Sequence, residues 1–269
     1  MIFIEIFKLI IELIIIIFIS KSLLVPILRR IGENLNLKPT TIGNISGIAT
    51  SIPEFLTVTF SAITGMTDAG IFNILSSNII NFLQYIISVF INQNLSLLKN
   101  RAIKINLFMV LITIILPVII WKLNFESNIF LIPIFLILFV VFNRINKYNN
   151  SEFKLEKEEI LKRHNSIKST VLYIVYILLI GFILYILGVC LSGTLENLCY
   201  TFNISEIIIG FILGIATSIP EFITFIESQR HHKENNKYGI IEASNNLLTS
   251  NTINLFIIQS ISIFILFLE

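Results

Sequence analysis

The segment Gly47-Ile-Ala-Thr-Ser-Ile-Pro-Glu-Phe55 recurs without change as Gly214-Ile-Ala-Thr-Ser-Ile-Pro-Glu-Phe222. The copies are 167 residues apart, and 15 of the 26 positions from 36 to 61 are identical at that spacing. Self-similarity at a fixed spacing indicates a duplicated structural unit. We call the two copies the first repeat (36–84) and the second repeat (203–257).

The chain around the repeats is strongly apolar: of its 269 residues, 55% are hydrophobic and only 13% are charged. Soluble domains contain about a quarter charged residues, so this composition excludes a cytosolic enzyme, a nucleic-acid-binding protein and a disordered protein. No phosphate-binding glycine loop occurs, which argues against an ATP-driven pump. The sequence therefore predicts an all-α polytopic membrane protein that contacts membrane lipid, is not an enzyme and needs no cofactor.

Eight stretches are long and apolar enough for membrane-spanning helices, at about 2–20, 41–65, 69–92, 103–121, 128–143, 169–191, 204–228 and 239–268. Basic connections stay on the cytoplasmic side, and 17 of the 19 Lys and Arg residues lie in alternate connections. This topology places both termini outside and the loop 144–168 in the cytoplasm. It divides the chain into a first half (1–143), that loop and a second half (169–269).

In this topology the two repeats cross the membrane in opposite directions, as if related by a pseudo-two-fold axis in the membrane plane. Inverted repeats are typical of secondary transporters, whose ion sites lie near the midplane on interrupted helices. Pro53 and Pro220 predict such interruptions because proline lacks an amide hydrogen. We expect the carbonyls of Ala49 and Ala216, four residues earlier, to lose their helical partners.

Each repeat carries one carboxylate in the middle of its predicted span, Glu54 or Glu221, where an ionisable group indicates a functional site. Hydroxyl side chains share the helical face of each carboxylate, since they are spaced by three or four residues. They are Thr50, Thr57 and Ser61 in the first repeat, and Thr217, Thr224 and Ser228 in the second. The following spans carry matching polar stripes, Asn73, Ser77 and Asn81, and Asn246, Ser250 and Asn254. Oxygen ligands without thiolate or imidazole favour Ca²⁺, Na⁺ or Mn²⁺ over zinc or copper.

Some of these polar residues have a second interpretation. Polar side chains in membrane helices often hold helices together by hydrogen bonds, and this role is as well supported as ion binding for Thr57, Thr224, Ser61 and Ser228. Glu227 and Glu242 lie near the inner ends of their predicted spans, and we expect both carboxylates to extend to water.

The nine-residue motifs, with the Ser77-Asn78-Ile-Ile-Asn81 and Ser250-Asn251-Thr-Ile-Asn254 segments that follow them, resemble the α-repeats of the calcium/cation antiporter superfamily. Its best-known branch is the sodium/calcium exchangers. The resemblance implies exchange of Ca²⁺ for Na⁺ by alternating access, with two outer helices sliding across the core. It also implies cation ligands at Thr50, Ser51, Glu54, Thr217, Ser218 and Glu221 on the broken helices, at Ser77, Asn81, Ser250 and Asn254 on their neighbours, and at backbone carbonyls near Gly47 and Gly214.

The chain departs from the family pattern at several motif positions and in the number of its predicted helices. Ala49 and Ala216 replace the first motif glycine, and Ser76 and Thr249 replace the glycine before Ser-Asn. These side chains add bulk where helices of the family approach closely. The family norm is five helices per half, whereas the predicted spans number five and then three. A second copy of the chain in a homodimer, or a partner subunit, could supply the missing helices.

The sequence therefore predicts a secondary active cation antiporter that exchanges Ca²⁺ for Na⁺. A divalent cation/H⁺ exchanger would use the same carboxylates as proton acceptors. A non-transporting truncated paralogue, acting as a membrane subunit or sensor, is the alternative of another class. The isoleucine-, asparagine- and lysine-rich composition predicts a prokaryotic plasma membrane location.

Overall fold

A computed structural model describes residues 2–24, 26–27, 30–31, 38–151, 167–231 and 236–268, and these parts of the chain are helical and contain no strand. The helices are α1 (Ile2–Ile19), α2 (Pro39–Thr50), α3 (Ile52–Ile63), α4 (Thr67–Ile91), α5 (Arg101–Lys122), α6 (Leu131–Ser151), α7 (Ile167–Glu196), α8 (Glu206–Thr217), α9 (Ile219–His231), α10 (Asn236–Ile253) and α11 (Gln259–Leu268). Asn36 of the first repeat and residues 152–166 of the predicted central loop lie outside the described residues.

Six segments of the described chain are long and apolar enough to cross a membrane: Thr67–Ile91, Arg101–Lys122, Leu131–Asn149, Val175–Thr201, Glu206–Arg230 and Tyr238–Leu268. They confirm the predicted polytopic all-α fold. The first predicted span is the helix α1, which carries three charged side chains, and the second is divided between α2 and α3, each of 12 residues. The count of eight spans, and the sidedness that depends on it, stays a prediction.

Both motif helices are interrupted at the serine before the motif proline. Ser51 separates α2 from α3, and Ser218 separates α8 from α9. The carbonyls of Ala49 and Ala216 lose their α-helical partners to the prolines, as expected, but they are not left free, because a backbone N–H at each break bonds to them. The chain turns more tightly at the break than in an α-helix, so a capping N–H replaces the donor that proline lacks.

The repeats pack by exchanging partners: α2 lies mainly against α10, and α8 mainly against α4. Glycines allow both contacts. A Cβ atom at Gly47 would lie 2.7 Å from the carbonyl oxygen of Asn246 and 2.9 Å from Cβ of Thr249. At the equivalent position, a Cβ atom at Gly214 would meet the hydroxyl of Ser76. Ser76 and Thr249 therefore stand at close helix approaches, as expected. This reciprocal packing is what a pseudo-two-fold axis between the repeats requires.

The helices α1 and α7 form a pair, which we call the outer pair, on one side of this core. Their contact is apolar, with Leu13 of α1 and Leu184 and Leu191 of α7 in one buried cluster with Leu56 of α3. One polar contact joins them, since the Thr194 hydroxyl donates to Glu12 Oε1 at 3.1 Å. The outer pair contacts the broken helices through apolar side chains.

Candidate cation site

Glu54 and Glu221 lie in the first turns of α3 and α9, directly after the two breaks. Both side chains are fully buried, with 0% exposure. Their carboxylates are close enough to repel each other. Within the described part of the chain neither carboxylate pairs with a basic side chain. The structure therefore brings together two buried acidic groups without a protein counter-charge, each at the positive end of a helix dipole.

Each carboxylate lies close to a hydroxyl group of the other repeat, and Glu221 also lies close to a hydroxyl group of α10. Ser250 of α10 donates a hydrogen bond to Glu221 Oε1 at 3.1 Å, and the Thr50 hydroxyl also interacts with Glu221. The Thr217 hydroxyl is close to Glu54 but makes no well-formed hydrogen bond with it. The two broken helices thus face each other through their acidic and hydroxyl side chains.

The hydroxyl groups at each break bond to the glycine carbonyl that begins the motif. Ser51 Oγ donates to the Gly47 carbonyl at 2.9 Å, and Ser218 Oγ donates to the Gly214 carbonyl at 2.7 Å. Ser51 Oγ also lies 3.0 Å from Ser250 Oγ. In the mirror position, Ser218 Oγ lies 3.4 Å from the Ser77 carbonyl. The first break therefore contacts α10, and the second break contacts α4.

Two carboxamides complete the polar centre. Asn81 Nδ2 donates to Ser250 Oγ at 3.4 Å, and Asn254 Nδ2 donates to Ser77 Oγ at 3.2 Å. All twelve residues that the sequence predicts for the site are buried. They come from α2 and α3, α4, α8 and α9, and α10.

Five acceptor oxygens in this set have no hydrogen-bond donor among the described residues. They are both carboxylate oxygens of Glu54, Oε2 of Glu221, Oδ1 of Asn81 and Oδ1 of Asn254. An unpaired buried polar atom is unfavourable by about 1–3 kcal/mol, and a charged one by more. A bound cation satisfies such oxygens. The donor set consists of carboxylate, amide and hydroxyl oxygen, which suits Ca²⁺ and Na⁺.

The described chain has no cluster of three or more His, Cys, Asp or Glu side chains that could hold a metal ion. A cation at this centre would therefore depend on the neutral amide and hydroxyl oxygens as much as on the two carboxylates. This is the arrangement that the repeated motif predicts.

Asn73 and Asn246 are buried polar residues next to the motif helices that the predicted ligand set omits. Asn246 Nδ2 donates to Thr224 Oγ1 at 2.8 Å, and Asn73 Nδ2 donates to Thr57 Oγ1 in the first repeat. The Oδ1 atoms of both asparagines are buried and have no donor among the described residues. Each lies four residues before Ser77 or Ser250 and so on the same helical face, and this spacing is the feature of the sequence that could have identified them.

The expectation for Glu242 is wrong. Its side chain is 1% exposed, and Ser228 Oγ donates to Glu242 Oε1 at 2.8 Å. Its carboxylate therefore has a partner on α9, and Gly43 of α2 packs against its main-chain carbonyl. Glu227 is exposed, as expected.

Comparison with known proteins identifies a family and a similar fold. A family model described as sodium/calcium exchanger protein matches residues 6–147 and 172–267. The chain is similar to the sodium-calcium exchanger NCX_Mj soaked with 10 mM Na⁺ and zero Ca²⁺, with a TM-score of 0.54 and 20% identity over 98% of this chain and 84% of that chain. NCX_Mj soaked with 100 mM Na⁺ and 10 mM Sr²⁺ gives a TM-score of 0.54 at 20% identity, over 98% and 83% of the two chains. No curated protein matches the chain significantly by sequence. At this identity the structural likeness shows a shared fold.

Proposed function

The chain belongs to the sodium/calcium exchanger protein family, and from this premise we propose that it exchanges Ca²⁺ for Na⁺ at the site between the broken helices. It is a multi-pass membrane protein of a cation antiporter family. We propose three further points: which two ions are exchanged, which residues bind them, and how the chain is oriented in the membrane.

The observation that carries the proposal is the set of five buried acceptor oxygens without donors. Three of them belong to Glu54 and Glu221, two buried carboxylates that repel each other. Ca²⁺ takes about six to eight oxygen ligands in proteins, more than the two carboxylates supply. The amide oxygens of Asn81 and Asn254 and the neighbouring hydroxyls fill the remaining positions.

The proposed ligands are those that the motif predicts. They are Glu54, Glu221, Thr50, Ser51, Thr217, Ser218, Ser77, Asn81, Ser250 and Asn254, with backbone carbonyls at Gly47 and Gly214. The charge of the two carboxylates is balanced by one Ca²⁺ or by two Na⁺. Binding of one cargo therefore excludes the other, which is the requirement for exchange in a shared site.

Alternating access requires that the site open to one side of the membrane at a time. The outer pair packs on the broken helices through apolar side chains such as Leu56 of α3 and Leu213 of α8. Contacts without directional hydrogen bonds permit sliding. We propose that α1 and α7 slide together across α3 and α8 and expose the site alternately. Both termini lie outside a prokaryotic plasma membrane, and the loop between α6 and α7 is cytoplasmic.

Competition between ions tests the shared site. The purified chain in detergent is titrated calorimetrically with Ca²⁺ at increasing Na⁺, with choline keeping the ionic strength constant. Because two Na⁺ replace one Ca²⁺, the apparent Ca²⁺ Kd rises about a hundredfold for each tenfold rise in saturating Na⁺. A Ca²⁺ Kd that is unaffected by Na⁺ would contradict sodium coupling.

Proton coupling is the second candidate, and the Glu54 carboxylate favours it, because neither of its oxygens has a donor among the described residues. A proton could occupy that carboxylate in place of Na⁺. The same titration at decreasing pH without Na⁺ separates the candidates. Competition by protons with no effect of Na⁺ would support the divalent cation/H⁺ exchanger.

A further inference from the structure

Asn78 and Asn251 occupy the same position in the two repeats, one residue after Ser77 and Ser250. Both side chains are fully buried, at 0% exposure, where α4 meets α10. Neither is a proposed ligand. Each has a carboxamide, whose nitrogen only donates hydrogen bonds and whose oxygen only accepts them. The orientation of such a group therefore determines what its neighbours can do.

Main-chain carbonyls fix the nitrogen ends of these two carboxamides. Asn251 Nδ2 donates to the Asn78 carbonyl at 3.1 Å. Asn78 Nδ2 donates to the Thr113 carbonyl of α5 at 3.2 Å and to the Asn251 carbonyl at 3.4 Å. A carbonyl cannot donate, so neither carboxamide can be reversed without losing these bonds. The oxygen ends of Asn78 and Asn251 must point away from the carbonyls.

These oxygen ends accept from the carboxamides of the site. Asn81 Nδ2 donates to Asn251 Oδ1 at 3.2 Å, and Asn254 Nδ2 donates to Asn78 Oδ1 at 3.3 Å. The nitrogen ends of Asn81 and Asn254 are thereby directed at the asparagine pair. Their Oδ1 atoms are the ones that have no donor among the described residues.

We propose that Asn78 and Asn251 are positioning residues that set the carboxamide polarity of Asn254 and Asn81, so that both present oxygen to the cation. The proposal rests on the proposed function, since it takes Asn81 and Asn254 as ligands. Each positioning residue acts across the repeats: Asn251 orients Asn81, and Asn78 orients Asn254. Reversal of either ligand would place an NH₂ group, with its partial positive charge, against the cation.

Replacing Asn81 by aspartate isolates this effect, because a carboxylate has no nitrogen end that must be directed away from the cation. Asn81→Asp has two equivalent oxygens, and its orientation does not depend on Asn251. We expect Asn251→Ala to raise the Ca²⁺ Kd about tenfold when Asn81 is present, the order of one lost hydrogen bond. In the Asn81→Asp background the same change should raise the Kd less than about twofold, because the coupling is gone.

The measurement is calorimetric Ca²⁺ titration of the full chain in detergent for the wild type, the two single variants and the double variant. Asn106→Ala is the matched control, because Asn106 is a buried asparagine whose Nδ2 donates to Ser244 Oγ at 3.5 Å, and neither residue is a proposed ligand. It should leave the Kd unchanged. A general packing defect would raise the Kd equally in both backgrounds, and that result would overturn the proposal.

The mirror pair repeats the comparison if Asn251→Ala does not fold. Asn78→Ala is then measured with Asn254 present and in the Asn254→Asp background, with the same expected difference. A wild-type chain that binds neither Ca²⁺ nor Na⁺ would overturn the proposed function and this proposal with it. A wild type that binds Ca²⁺, with equal effects in both backgrounds, would overturn the polarity proposal alone.

Discussion

Replacing Glu54 by glutamine should separate the role of its charge from the role of its shape. Both oxygens of Glu54 are buried without a donor among the described residues, and Glu221 repels the carboxylate. Glutamine has nearly the same size and no charge. We therefore expect Glu54→Gln to stabilise the protein without ions and to abolish its stabilisation by Ca²⁺.

The magnitude follows from two opposing effects. Two like unit charges about 4 Å apart repel by about 4 kcal/mol at an effective dielectric constant of about 20, and by less at longer range. A buried glutamine amide without partners opposes this by about 1–3 kcal/mol. A net gain of about 1–2 kcal/mol raises the Tm of a chain of this size by about 2–8 °C. Ca²⁺ at a hundred times its Kd stabilises the wild type by about 2.7 kcal/mol, or about 5–11 °C.

Thermal unfolding measures both quantities. The fluorescence of Trp121, the only tryptophan, reports on the core because its ring packs edge-on against Phe72 at 5.0 Å. The buffer is kept at about pH 9, well above the ordinary carboxyl range, with choline as the only added cation for the ion-free scan. Glu227→Gln on the exposed side of α9 is the matched control and should behave as the wild type. If Glu54→Gln lowered the ion-free Tm and kept the Ca²⁺ shift, the reasoning would be refuted.

Three further predictions concern helix packing, the hydrogen bond between Asn246 and Thr224, and charge balance. Gly47→Ala should lower the free energy of unfolding by about 1–3 kcal/mol, because its Cβ atom would lie 2.7 Å from a main-chain oxygen of α10. The control is Gly181→Ala, where a Cβ atom would have no atom within 4 Å. It should not destabilise the chain in the same thermal scan. Thr224→Val removes the oxygen that accepts from Asn246 at 2.8 Å and should weaken Ca²⁺ binding about three- to tenfold in calorimetric titration; an unchanged Kd would show that Asn246 needs no such anchor. Exchange of one Ca²⁺ for two Na⁺ moves no net charge, so uptake into proteoliposomes should proceed at the same rate at zero potential and at a valinomycin-imposed potential of about −100 mV, and a strong dependence on potential would contradict the 2:1 balance.

Much of the site could be predicted from the sequence because its information is local and duplicated. Two identical nine-residue motifs place Glu54 and Glu221 in equivalent positions, directly after a proline. Spacings of three and four residues put the hydroxyls on the carboxylate face. The apolar composition and span lengths were sufficient for the polytopic helical fold. The structure agrees on the polytopic helical fold and on the burial of Glu54 and Glu221 just after the two breaks, and the ligand set stays a prediction.

Other features depend on contacts between distant segments and could not be predicted this way. The tight turn of the broken chain brings backbone N–H groups to the carbonyls of Ala49 and Ala216, and proline alone does not specify this turn. Burial of Glu242 goes with contacts to Ser228 of α9 and to α2, a helix some 200 residues earlier, and a polar position near a span end gives no sign of them. The carboxamide orientations of Asn78 and Asn251 depend on carbonyls of α5 and of the facing repeat.

Flux across a membrane tests the central claim most directly. Radioactive Ca²⁺ uptake is measured in proteoliposomes containing the full chain, with an outward Na⁺ gradient or an outward proton gradient imposed separately. We predict uptake on the Na⁺ gradient that disappears in Glu54→Gln and in Glu221→Gln and persists in Glu227→Gln. Uptake on the proton gradient alone would move the assignment to the divalent cation/H⁺ exchanger. Absence of flux on either gradient, in a chain that folds and binds Ca²⁺, would contradict antiport and favour a non-transporting membrane subunit or sensor.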